Sequence, residues 1–276
     1  MSFRLVALDI DGTILDSRGQ VGPRIKVAVH RAQEAGVAVV LATGRRFRAA
    51  QPIAEELAIR APLVLNNGAL VVEPDGEEIF YHQPLEPQTA VQAVRLLEEE
   101  GMAPILYRHT TSGPDVFYRV PTQDPWFKRF YDRPDIALQV PDLEAISALG
   151  PEKILVWDQK DRLYALEDWL RAALGRRARV FISLDDAEHA TLEVVHGSCS
   201  KADGVRRVAS RMGVLRRQVL AVGDHLNDLE LIRYAGLGVA MGNARDEVKA
   251  TARLVTGTND EEGAAEVLER YVLPVA

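Results

Sequence analysis

Four short apolar runs without a helical period constrain this chain most: Phe3 to Ile10, Val37 to Ala42, Pro62 to Leu65 and Val219 to Val222. Each is too short and too evenly apolar for an amphipathic helix, and each is followed within two residues by glycine, asparagine or aspartate. Such runs read as strands buried on both faces. The segments between them carry helical signals. Pro23 to Ala35 has Ile25, Val27, Val29 and Ala32 with Gly36 at its end, and a second helix is expected over Arg46 to Ile59. After the fourth run come an expected helix from Asn227 to Tyr234, a strand from Leu237 to Met241 and a helix from Asp260 to Tyr271. A helix over Lys201 to Met212 precedes it. Strands joined by crossover helices form a parallel sheet covered on both sides.

The texture changes between residues 84 and 193. There the pattern is helix (87–100), strands (104–108 and 115–120), helix (142–149), strand (153–157), helix (162–174) and two strands (179–183 and 191–195). The last two are joined by a connection too short for a crossover helix, which points to antiparallel pairing. Asp75-Gly76, between Leu70-Val71-Val72 and Ile79-Phe80-Tyr81, is a hairpin signal just before this region. The fold expected is α/β: a Rossmann-like doubly wound parallel sheet from residues 1–83 and 194–276, with an inserted α+β cap domain over 84–193.

Composition excludes several functions. The net charge is −7 and no long basic block occurs, which argues against nucleic acid or an anionic membrane as partner. The apolar runs fall far short of the ~18 residues that span a bilayer. The start of the chain, Phe3-Arg4-Leu5-Val6-Ala7-Leu8, lacks a basic leader with a cleavage site, so a cytoplasmic location is expected. The single cysteine, Cys199, allows no internal disulfide, and it reads as a small residue near a strand end rather than a nucleophile.

The chemistry gathers at the strand ends. Ligands of parallel sheets bind at the carboxyl ends of strands, and the first run closes on Asp9 and Asp11. A lone aspartate there would read as a cap or a solvated turn. A second acidic cluster, Gly223-Asp224-His225-Leu226-Asn227-Asp228, follows another strand. If the two ends converge, Asp9, Asp11, Asp224 and Asp228 crowd four negative charges, which is unfavourable without a cation. A hard divalent ion such as Mg²⁺ suits a few carboxylates together with phosphate oxygens. Thr43-Gly44-Arg45 supplies a hydroxyl, a glycine and a following helix N-terminus, an arrangement that attracts anions. Lys201, one of six lysines among 33 basic residues, opens a helix after Ser200; structural and functional roles weigh evenly for it. His225 reads as a solvated loop histidine.

In order and in sheet context, Asp9-Ile10-Asp11-Gly12-Thr13, Thr43-Gly44-Arg45, Ser200-Lys201 and Gly223-Asp224-x-x-Asn227-Asp228 resemble the haloacid dehalogenase-like hydrolase superfamily, and within it the Cof-type phosphatases. The resemblance covers the whole chain. It implies Asp9 as the nucleophile that forms an aspartyl-phosphate, and Asp11 as the general acid and base. It implies Thr43, Gly44 and Lys201 as phosphate binders, with Asn227 orienting phosphate or Lys201. It implies Mg²⁺ held by Asp9, Asp224 and the backbone carbonyl of Asp11, with Asp228 and Arg45 in support.

Spacing selects the branch. Asp9 and Thr43 are 34 residues apart, too close for a cap between them, whereas Thr43 and Lys201 are 158 apart and the insertion lies there. This resembles the second cap type, the IIB branch, as do Asn227-Asp228 and the Val239-Ala240-Met241-Gly242-Asn243-Ala244 segment. Ala202-Asp203 departs from the glycine usual after the lysine. The activity implied is Mg²⁺-dependent hydrolysis of phosphate monoesters of small metabolites, sugar phosphates or phosphorylated cofactors. The alternatives are a phosphomutase of the same branch, or a non-catalytic sugar- or phosphate-binding regulator on the same fold. Arg108, His109, Arg119, Trp126 and Lys128 are the polar or aromatic residues near strand ends or loops of the insertion, each reading as surface before it reads as substrate contact.

Overall fold

The computed structural model describes residues 3–110, 112–119, 127–128, 133–185 and 188–273. The chain divides into two compact units, Met1–His82 with Ser200–Ala276, and Gln83–Cys199. In chain order the first unit opens with β1 (Leu5–Leu8), α1 (Pro23–Glu34), β2 (Ala38–Leu41), α2 (Phe47–Glu56), β3 (Leu63–Leu65), β4 (Leu70–Val72) and β5 (Ile79–His82). The second holds α3 (Pro87–Glu99), β6 (Ile105–Tyr107), β7 (Val116–Tyr118), β8 (Ala137–Gln139), α4 (Leu143–Ser147), β9 (Lys153–Gln159), α5 (Lys160–Leu174), β10 (Ala178–Asp185) and β11 (His189–His196). The chain then returns to the first unit with α6 (Lys201–Arg211), β12 (Val219–Gly223), α7 (Leu229–Tyr234), β13 (Leu237–Ala240), α8 (Asp246–Thr251), β14 (Leu254–Val255) and α9 (Gly263–Tyr271).

The first unit is built on a five-stranded parallel sheet in the order β14-β13-β12-β1-β2. Side chains alternate along a strand, and here the alternation divides the core in two. Val6, Leu8, Val39, Leu41, Leu220 and Val222 pack with Ile25 and Val29 of α1 and Leu268 of α9. Leu5, Ala7, Val40, Val219 and Ala221 pack on the other face with Val205 and Val208 of α6 and Leu231 of α7. A sheet covered on both faces has no room for polar side chains along its strands, so these collect where the strands end. Each fully buried Leu, Ile or Val contributes ~1.5–3 kcal/mol, and this ties the sheet register firmly to the apolar runs.

Two segments depart from the expected series. The third run continues the parallel sheet only through a bridge from Ala42 to Val64; β3 pairs instead with β4, and β4 with β5, in an antiparallel sheet of the order β3-β4-β5. The Asn66–Gly68 turn reverses the chain directly after β3, so β4 takes the pairing positions beside it, and the Asp75-Gly76 hairpin then lays β5 against β4. β14, two residues long, has no sequence signal of its own and forms by pairing with β13.

The second unit is a six-stranded sheet in the order β10-β11-β9-β6-β7-β8, antiparallel apart from the parallel pair β7 and β8. Helices α3 and α5 bury Val94, Leu97, Leu163 and Leu170 against Leu106, Ile154, Val156 and Leu192 on one face of that sheet. The expected seam at residues 193 and 194 falls inside β11. That strand pairs with β9 as far as Val195 and with β10 as far as His196, so ladder hydrogen bonds keep the chain in the second unit until Cys199. At the other seam Gln83, expected in the first unit, belongs to the second, and its carbonyl meets the buried Cys199 Sγ at 3.7 Å. No helix among the described residues is long and apolar enough to cross a membrane.

Candidate active site

Parallel pairing of β1 with β12 and β2 sets three strand ends side by side, and the candidate residues follow directly. Asp9 lies just past β1, with its amide on the Val222 carbonyl, and is 4% exposed. Thr43 lies past β2, with its amide on the Val64 carbonyl and its hydroxyl accepting the Arg45 N–H at 3.1 Å. Lys201 is the first residue of α6. Ser200 caps that helix by accepting the Asp203 N–H at 3.1 Å, an arrangement favoured because serine satisfies an otherwise unpaired amide. The cap starts the helix where it does and thereby directs the Lys201 side chain, 1% exposed, toward the strand ends.

Lys201 Nζ bonds Asp9 Oδ1 at 2.8 Å and Asp228 Oδ1 at 2.7 Å. Asp228 is wholly buried, and its Oδ2 accepts the amides of Asp224 and His225, both at 3.2 Å. Its oxygens are thus taken up in orienting the lysine and closing the turn after β12. Asp9, Asp224 and Asp228 each offer an oxygen within 4.8 Å of the others. Three carboxylates face one ammonium. Burial, followed by the charge of Asp228, pushes the Asp9 carboxyl up to about 7. Burial, followed by Asp9, pushes Asp224 up to about 8. Burial also works against the Lys201 charge, but Asp228 and Asp9 outweigh it and hold the ammonium above its usual value. The cluster is short of positive charge.

Asp11 is placed differently. Its carboxylate is half-buried and engaged on both oxygens by Arg45, Nε to Oδ2 at 2.8 Å and Nη2 to Oδ1 at 2.6 Å. Between the two acids and Asp224 sits Gly12, at φ +70°, where an added Cβ would fall 2.2 Å from Asp224 Oδ2; only glycine fits. Thr13 Oγ1 donates to Asp224 Oδ1 at 3.4 Å. Asn243 Nδ2 donates to the Gly12 carbonyl at 2.8 Å and fixes this turn from the loop after β13.

The geometry therefore brings together Asp9, Asp224, Asp228 and Lys201 in one cluster and ties Asp11 to Arg45. The model of the haloacid dehalogenase-like hydrolase family matches residues 6–268. The chain belongs to that family. A pyridoxal phosphate phosphatase of Escherichia coli is 27% identical over 99% of this chain and 100% of its own. A 5-amino-6-(5-phospho-D-ribitylamino)uracil phosphatase of Bacillus subtilis is 28% identical over 97% of each. Among solved structures, a haloacid dehalogenase-like hydrolase from Bacteroides thetaiotaomicron is 28% identical, with a TM-score of 0.81 over 98% of this chain and 99% of that one. Within the family this chain is an enzyme of the phosphoric monoester hydrolase class.

Two residues of the site carried no functional reading in the sequence. Asn67 accepts the Asn227 Nδ2–H at 3.0 Å, and its asparagine-rich turn read only as the end of a strand. Asn243 lay in a segment noted for its family likeness alone. Of the insertion's candidates, Arg119 pairs with Glu98 of α3 at 2.9 Å, and the His109 amide donates to the wholly buried Glu152 at 2.6 Å. Arg108 bonds the Asp115 carbonyl through its amide, and Lys128 is exposed. Trp126 lies outside the described residues.

Proposed function

We propose that the chain is a Mg²⁺-dependent phosphatase of small phosphorylated metabolites that works through an aspartyl-phosphate on Asp9. The observation that carries this reading is the imbalance around Lys201, with three buried or half-buried carboxylates about one ammonium. The set is made of hard oxygen donors, so it fits a divalent cation that prefers oxygen. Asp9 and Asp224 would hold the ion with the Asp11 carbonyl. When bound it offsets negative charge on the phosphoryl oxygens.

Lys201 occupies Oδ1 of Asp9 and leaves Oδ2 for attack on phosphorus. The P–O bond to the leaving alcohol breaks as the Asp9–phosphorus bond forms. Lys201, with Thr43, Gly44 and the N-terminal end of α2, offsets the charge of the transferring group, the effect that dominates phosphoryl transfer. Asp11 gives a proton to the departing oxygen, then takes one from the water that hydrolyses the aspartyl-phosphate. To do so it exchanges Arg45 for the leaving group, because both its oxygens bond that guanidinium. Arg45 thus holds Asp11 between turnovers.

We assign choice of the leaving group to the second unit, Gln83–Cys199. The two relatives act, by name, on different phosphate esters at nearly equal identity to this chain, so likeness over the whole chain does not name the metabolite. The testing experiment is turnover of p-nitrophenyl phosphate with and without Mg²⁺, followed by a panel of phosphorylated metabolites. Mg²⁺-dependent release of phosphate is expected; binding of phosphate esters without release would overturn the hydrolytic reading.

A further inference from the structure

The turn after β3 adopts an unusual backbone. Asn66 and Asn67 both have positive φ, 46° and 54°, and Gly68 follows at 91°. Two consecutive non-glycine residues in the left-handed region carry a conformational cost, and such outliers persist where the surroundings over-determine them. What surrounds this turn is the candidate site. The Asn66 N–H donates to the Arg45 carbonyl and the Asn67 N–H to the Thr43 carbonyl, both at 3.0 Å, so the turn grips the Thr43-Gly44-Arg45 loop at both ends. Gly68 lies so close to the residue before Lys201 that a Cβ there would stand 2.0 Å from the Ser200 carbonyl oxygen. The Asn67 side chain, 1% exposed, accepts from Asn227, 160 positions away in sequence. One three-residue turn therefore touches three of the segments that build the site.

Asn227 gives the contact its meaning. Its Oδ1 is buried and has no hydrogen-bond partner among the described residues. A buried amide atom left unpaired is costly, and this end of the carboxamide is the one left for a ligand. A phosphoryl oxygen requires a donor. Because a carboxamide carries N–H and C=O side by side, turning both amides over keeps the Asn67–Asn227 bond and presents Asn227 Nδ2 instead.

We infer that Asn67 is a positioning residue, whose carboxamide orients Asn227 for the phosphoryl group while the left-handed Asn66-Asn67-Gly68 turn locks that pair to the Thr43 loop and the start of α6. This rests on the phosphate role proposed for Asn227. A double-mutant cycle on the full chain tests it. Asn67→Gly removes the carboxamide yet suits the positive φ, so the chain should still fold cooperatively, with a melting temperature lowered by the lost partner of Asn227. Its kcat/KM for p-nitrophenyl phosphate should fall about tenfold to a hundredfold, as misplacement of a positioned group does, and Ki for inorganic phosphate should rise. In the Asn227→Ala background the same change should have no further effect. Parent-like kinetics for Asn67→Gly, or losses that multiply in the double variant, would overturn the positioning role alone. Asn227→Ala with unchanged kinetics would remove its phosphate role and this inference with it. Should Asn67→Gly fail to fold, Asn67→Ser enters the cycle under the same criteria.

Discussion

Each unit buries a lysine against a carboxylate, and the two pairs differ in their surroundings. In the second unit Lys153 of β9 bonds Glu193 of β11 at 2.9 Å, both side chains 4% exposed, with the ammonium 4.6 Å from the centre of the Tyr107 ring. The register sets Val195 opposite Lys153 and Leu155 opposite Glu193, so the two are diagonal neighbours on one face of the sheet. There an ammonium and a carboxylate bridge neighbouring strands. In the first unit Lys201 meets Asp9 and Asp228 with Asp224 close by. A lysine and a glutamate bonded across adjacent strands hold those strands together. An unbalanced cluster keeps burial-raised carboxyls in place, and folding alone would not favour that arrangement. A buried lysine therefore does not by itself mark a site; several carboxylates crowded about one at the strand ends do.

The sharpest way to break the contrast is Asp9→Asn, which is nearly isosteric but cannot form an acyl-phosphate. It should fold normally and lose ~10³-fold or more of its turnover; activity within about tenfold of the parent would end the assignment of the nucleophile. Removal of metal comes next. Excess EDTA should abolish turnover and Mg²⁺ restore it, with Ca²⁺ a poor substitute because its coordination is larger and less strict. Full activity in EDTA would show that the acidic cluster needs no cation.

Asp11→Asn should cost about 10²–10⁴-fold, the range of general acid–base catalysis, and a burst of p-nitrophenol would show whether attack or hydrolysis of the intermediate suffers more. The smallest effect on turnover belongs to the other lysine. Lys153→Met leaves Glu193 buried without its ammonium and should destabilise the fold by ~3–5 kcal/mol, whereas Lys153→Met with Glu193→Leu should recover most of that loss. Denaturant melts measure both. Turnover of p-nitrophenyl phosphate per folded molecule should be unchanged, and its loss in a folded Lys153→Met chain would erase the distinction between the two pairs.

Asp9, Asp11, Thr43, Asp224 and Asp228 were legible because each sits within a few residues of an apolar run that had to become a buried strand, and polar groups in such a sheet collect at strand ends. Lys201 was legible in part, through its rarity and its place after a helix cap. Asn67 was not, because an Asn-Asn-Gly turn signals only a change of direction, and its partner Asn227 lies far along the chain. The departure of β3 from the parallel series was hidden for a similar reason: its apolar run is the same whether a parallel or an antiparallel neighbour pairs with it.

By itself the sequence determined where the long apolar strands of the first unit run, where they stop and which acids stand at their ends, since these follow from side-chain periodicity and backbone preference over a few residues. Only the tertiary structure decided that Lys201 bridges Asp9 and Asp228, that Arg45 takes both oxygens of Asp11, and that Asn67 reaches Asn227. Each of those contacts joins side chains tens to hundreds of residues apart, and strand order, helix starts and packing place them within bonding distance, where no local pattern could.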